Sequence, residues 1–86
     1  MEKKSNGITE AQSRGARGLL DWSQSKLAEQ SNLSESTVRD FEKGRRTPGP
    51  NNLAAIRTAL ESAGILFIDS GDVAAGPGVT LQSRRG

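Results

Sequence analysis

Residues 23–44 read SQSKLAEQSNLSESTVRDFEKG. The stretch divides into two helix-length pieces separated by a polar break. Ser23 can cap the first, which starts at Gln24; Leu27 and Ala28 turn inward while Glu29 and Gln30 face water. Ser31-Asn32 interrupts it, because asparagine takes the left-handed backbone more readily than other non-glycine residues. Leu33 then returns to the core. Ser34 is the next cap, and Glu35 suits the positive end of the helix that follows. That second piece is predicted over Glu35–Lys43. Val38, Phe41 and Glu42 share one side, and Ser36, Arg39, Asp40 and Lys43 the other. Gly44 stands where a helix end favours a left-handed residue. Ala28 is small at the point where two steeply crossing helices come closest.

Before this unit, Thr9 is predicted to cap a first helix in a box with Gln12. Ala16, Leu19 and Leu20 form its apolar stripe, with Trp22 just beyond. Gly15 and Gly18 weaken it by up to about 1 kcal/mol each relative to alanine, a composition that makes sense if another helix packs close. After the unit, Thr47-Pro48-Gly49-Pro50 reads as a rigid loop. A fourth helix is predicted from Asn51 or Asn52 through Leu53, Ile56, Leu60 and Ala63, stopped by Gly64. Ile65-Leu66-Phe67-Ile68 reads as a strand, and Val79-Thr80-Leu81 as a short second strand able to pair with it. The expected organisation is a disordered arm over residues 1–8, a helical domain over 9–64, a strand or hairpin over 65–81, and a disordered tail over 82–86. The fold class is mainly α: a small four-helix domain with a short C-terminal β strand or hairpin.

Composition narrows the function. The chain has 86 residues with no cysteine and no histidine. That removes disulfides, the thiolate nucleophile, and both the commonest general base and the commonest metal ligand. An 86-residue chain has little room for a deep substrate pocket, so no enzyme and no cofactor is expected. Asp69 and Asp72 sit in a glycine-rich stretch with no third ligand, so no metal is expected either. No apolar run approaches the roughly 20 residues of a membrane span, and the first residues lack the apolar core of a signal peptide. The expectation is a soluble, intracellular binding domain without a membrane partner. Net charge is +2, and the excess lies in residues 14–46, with seven basic against five acidic side chains. That imbalance hints at a polyanion, although a solvated mixed-charge surface would look the same.

The exposed start of the second helix carries Ser34, Glu35 and Ser36. These are short polar groups of the kind that fit a DNA major groove and meet base edges. Here the sequence resembles the helix-turn-helix domain of Cro- and repressor-type regulators, the XRE family, with a lambda-repressor-like fold. The matching residues are Trp22-Ser23-Gln24, Leu27-Ala28, Leu33-Ser34, Thr37-Val38, Phe41-Glu42-Lys43-Gly44 and Arg45-Arg46-Thr47-Pro48, and the likeness extends over residues 9–63.

The resemblance implies roles. Ser34, Glu35, Ser36 and Arg39 match base-reading positions. Arg39 suits a bidentate contact to guanine, and Glu35 is able to accept from cytosine N4 but repels phosphate if misplaced. Gln24, Thr37, Lys43, Arg45 and Arg46 match phosphate-binding positions. Gln24 also braces the reading helix, and Thr37 is partly a packing contact. Arg17 matches the family's partner for Glu42, whose place on an apolar helix side would be expensive without one. The expectation is a structural ion pair. Trp22 reads as core and not as a stacking platform, and Asp40 as a balance for Arg39.

The resemblance further implies a homodimer on double-stranded DNA, with two half-sites about one helical turn apart. Ile65, Leu66, Phe67 and Ile68 are the expected self-contact, because an exposed edge of four large apolar residues would aggregate. The functional expectation is a sequence-specific transcriptional regulator acting by operator occupancy. Two alternatives stand beside it. One is an antitoxin that binds a toxin protein and its own operator. The other is a protein-binding adaptor or antiactivator on the same fold, partnered by another regulator.

Overall fold

The computed structural model describes residues 7–68 and 78–82. Four helices are followed by a two-stranded antiparallel hairpin: α1 (Glu10–Leu20), α2 (Gln24–Ser31), α3 (Glu35–Glu42), α4 (Pro50–Ser62), β1 (Ile65–Ile68) and β2 (Gly78–Leu81). This is the mainly α class with a C-terminal hairpin.

Local chemistry accounts for the helix ends. The Thr9 hydroxyl accepts from the Gln12 backbone N–H at 3.0 Å while Gln12 Oε1 accepts from the Thr9 N–H at 2.9 Å, a reciprocal capping box. Ser23 caps α2 by accepting from the Lys26 N–H at 2.9 Å, and Ser34 caps α3 through the Thr37 N–H at 3.1 Å. The first two helices stop on left-handed residues, Asp21 and Asn32, both at φ 61°, and α3 stops before Gly44 at φ 77°. After Asn32, the Leu33 N–H donates to the Ala28 carbonyl at 2.9 Å, folding Leu33 back against the core.

Leu27, Val38, Ile56 and Leu60 are fully enclosed, with Ala16, Ala28 and Phe41 around them. Ile8, Ile65 and Phe67 complete this core. Ile8 corrects the expected arm of residues 1–8. It is buried directly before the Thr9 cap, because an isoleucine one residue from a helix start can reach the core without extending the helix. Residues 1–6 and 83–86 of the expected arm and tail lie outside the described residues, as do Asp69 and Asp72.

Three further expectations change. The fourth helix begins at Pro50 with Gly49 as its cap, not at Asn51 or Asn52. Proline's fixed φ and missing N–H suit the first helical position, so Pro50 joins the helix instead of ending the loop. The close neighbour of α1 at Gly15 is a strand, not a helix: a Cβ there would lie 3.2 Å from Val79 Cγ2, whereas one at Gly18 would meet nothing within 4 Å. Leu19 leaves the predicted stripe and is exposed.

The hairpin register pairs Ile65 with Leu81, Leu66 with Thr80, Phe67 with Val79 and Ile68 with Gly78. Side chains alternate across a strand, and here Ile65 and Phe67 are 3% and 7% exposed while Leu66 is 47% exposed. The expected self-contact by all four residues of β1 is therefore corrected. Ile65 and Phe67 belong to the chain's own core, and the Arg57 guanidinium lies over the Phe67 ring, 5.1 Å from its centroid.

Candidate nucleic-acid interface

The α2–turn–α3 unit is fixed by one buried carboxylate. Glu42, in the last turn of α3, is 2% exposed. Arg17 reaches it from α1, with Nη2 2.7 Å from Oε1 and Nε 3.0 Å from Oε2. Ser13, one turn earlier on the same face, donates to Oε2 at 2.5 Å. Gln24 Nε2 donates to Oε1 at 3.1 Å, so α1, α2 and α3 meet at a single charge. Burial alone would push the Glu42 carboxyl up. The hydrogen bonds from Arg17, Ser13 and Gln24, with the charge of Arg17, outweigh burial and hold it below the ordinary value of 4.5. Arg17 Nη1 also donates to the Trp22 carbonyl at 3.0 Å, and Arg14 Nη1 donates to the Glu42 main-chain carbonyl. The end of α3 is thus tied to α1 through side chain and backbone.

This clamp leaves the opposite end and outer side of α3 to solvent. Ser34, Glu35 and Ser36 are exposed, and Thr37, Arg39 and Asp40 are half-buried. The Ser34 hydroxyl is not idle: besides capping, it lies 3.2 Å from Ser36 Oγ and 2.8 Å from Thr37 Oγ1. Glu35 is met by α2, where Ser25 Oγ donates to Glu35 Oε1 at 3.3 Å. Trp22 packs against the core, with the Lys26 ammonium 5.9 Å from its ring centroid.

At the other end, the Arg45 and Arg46 N–H groups donate to the Asp40 carbonyl at 2.9 and 3.4 Å. This tight turn gathers Lys43, Arg45 and Arg46 at the end of α3. All three are exposed, and among the described residues neither they nor Arg39 have a side-chain hydrogen bond or ion pair. Arg39 and Asp40 form no ion pair. Gln24 sits differently from a residue devoted to phosphate. One amide hydrogen is turned inward to Glu42, which leaves the other for an outside acceptor.

Ser13, Arg14 and Ser25 are the neighbours that sequence reasoning passed over. The i, i+4 spacing of Ser13 and Arg17 places both on one helix face and was a readable signal. Arg14 and Ser25 reach partners on other helices, which spacing does not reveal. A groove between the end of α2 and α4 is lined by small side chains such as Ser31, Ala55 and Ala59 and holds no ionisable group. Among the described residues no acidic cluster could hold a metal ion, and no helix is long and apolar enough to cross a membrane.

The family described as helix-turn-helix matches residues 14–63, more than half of the chain. No curated protein matches it. The matched segment runs from the Arg14 and Arg17 that hold Glu42 to the end of α4, and it encloses both capped helices and the basic turn after them. This family regulates transcription and is not an enzyme family. The chain therefore belongs to the Cro- and repressor-type (XRE) helix-turn-helix family of double-stranded-DNA-binding transcriptional regulators.

Proposed function

We propose that this chain is a homodimeric repressor that reads an operator of two half-sites with α3 and acts in the cytoplasm by occupying a promoter. The observation that supports it best is the division of labour along α3. Its start exposes short polar groups, and its end gathers three exposed cations that form no ion pair among the described residues. Ser34, Glu35, Ser36 and Arg39 would meet base edges, while Gln24, Thr37, Lys43, Arg45 and Arg46 would hold phosphates. Two modules are needed because one makes a small interface. With Ile65 and Phe67 committed to the core, the self-contact falls to Leu66 and Ile68 on the outer face of β1.

Selection from a random duplex library, followed by anisotropy titration at two salt concentrations, tests this. A selected pseudo-palindrome with steep salt dependence supports the reading. Failure to select any duplex, at low salt as well, sinks it. The Glu35 carboxylate favours a second reading, since an exposed acid at the tip of α3 opposes phosphate. A tight complex with a protein toxin or another regulator, without DNA binding, would establish the adaptor; the same complex with operator binding would establish the antitoxin.

A further inference from the structure

Gln12 is part of α1, yet half of its hydrogen bonding leaves the helix. The residue is 6% exposed. Its Oε1 serves the Thr9 cap, and its Nε2 donates to the carbonyls of Ile68 at 3.2 Å and Gly78 at 3.0 Å. Those two residues face each other at the last register position of the hairpin, one on each strand. Capping requires only the oxygen, and glutamate supplies it equally well. The amide nitrogen is what glutamine adds, and it is committed to the hairpin. An isolated two-stranded hairpin is marginal in water. This one is seated on α1 by Val79 over Gly15 and by that amide. The next residue, Ser13, turns to Glu42, as do Arg14 and Arg17. Residues 12–17 of α1 therefore hold the hairpin on one side and the end of α3 on the other.

We infer that Gln12 is a positioning residue for DNA binding: it seats the hairpin on α1 and so sets the pose in which Ser13, Arg14 and Arg17 present α3. The helix-turn-helix match begins at residue 14 and ends at 63, so neither Gln12 nor the hairpin belongs to it. The inference rests on the reading of DNA by α3. By linkage, a partner that binds the seated hairpin more tightly than the loosened one favours DNA on α3, and DNA on α3 favours the seated hairpin by the same factor.

Two variants separate the functions of the side chain. Gln12→Met keeps its length and removes all its side-chain hydrogen bonds; Gln12→Glu keeps the cap and sets an oxygen, in place of the donor, against the Ile68 and Gly78 carbonyls. In the DNA-free protein, at a temperature where circular dichroism shows both folded, hairpin amides should exchange faster and the Arg17 Nε–H resonance should shift. Affinity for the selected duplex should fall about five-fold. Val79→Ala loosens the hairpin's seat over Gly15 without changing a residue of α1, and carries the same expectation if the Gln12 variants do not fold. Faster hairpin exchange with an unmoved Arg17 resonance, or with DNA affinity unchanged, overturns the inference. A wild-type chain that selects no duplex would remove the DNA reading alone, because the Arg17 resonance still decides whether the hairpin and Glu42 are coupled.

Discussion

Arg17 and Glu42 meet with Nη2 and Oε1 2.7 Å apart, the arginine side chain 20% exposed and the glutamate 1%. The pair joins α1 to the last turn of α3. Removing one partner strands the other in a site built for a charge. Arg17→Met should therefore destabilise the fold by about 3–5 kcal/mol. Combining it with Glu42→Leu should recover much of the loss, since neither charge is then left unpaired. Urea unfolding of the two singles and the double measures this. Strict additivity of the singles would show that the two residues do not act as a unit.

Glu42 also makes stability depend on pH. Its folded carboxyl titrates below the ordinary 4.5, so the unfolded chain takes up its proton first as pH falls. The contribution is complete above the unfolded value and is lost as pH falls through the folded one. Melting temperatures from pH 7 down to 2.5 should show wild type losing its advantage over Glu42→Gln below about pH 4.5. A constant difference across that range would contradict the assignment.

Ser34 is both a helix cap and a residue at the tip of α3. Ser34→Ala removes the acceptor for the Thr37 N–H and should cost about 1 kcal/mol of stability, whereas Ser34→Asn, which can cap and carries no charge, should cost much less. If DNA affinity follows stability across the two variants, Ser34 acts as a cap. If Ser34→Asn restores stability but not affinity, the hydroxyl itself meets DNA.

Arg39 and Arg45 should fail in different ways. Arg39→Ala is expected to relax discrimination at one base pair by about 1–3 kcal/mol. Arg45→Ala should weaken all duplexes alike and lower the slope of log affinity against log salt by about 0.9. Titrations on the selected site and on single-base variants of it distinguish the two. Uniform loss in both would remove Arg39 from the base-reading set.

Within β1, neighbouring residues carry opposite expectations. Phe67→Asp places a carboxylate in the core beside Ile65 and should unfold the protein. Leu66→Asp changes an exposed position, so it should leave the melting temperature nearly intact while lowering the sedimentation coefficient to that of a monomer. An unchanged coefficient at micromolar concentration would take the outer face of β1 out of the dimer.

Short-range chemistry made most of this protein legible in the amino-acid order. Thr9, Ser23 and Ser34 announce helix starts because the groups they cap lie three residues away. Asn32 and Gly44 announce stops because few residues accept their backbone. Leu27, Val38, Phe41, Ile56 and Leu60 mark the core because a 3.6-residue period can be counted along a chain. The partnership of Arg17 with Glu42 entered through family likeness, not through any local rule. What the tertiary structure alone decided involves partners distant in sequence. Gly15 found a strand where a helix was expected, and Ile8 went inside. Ile65 and Phe67 turned to the core and left Leu66 to solvent. The Gln12 amide reached carbonyls 56 and 66 residues away. A local pattern shows that a side chain must be satisfied or buried, but its partner is chosen by the packing of whole elements, which no window of neighbouring residues contains.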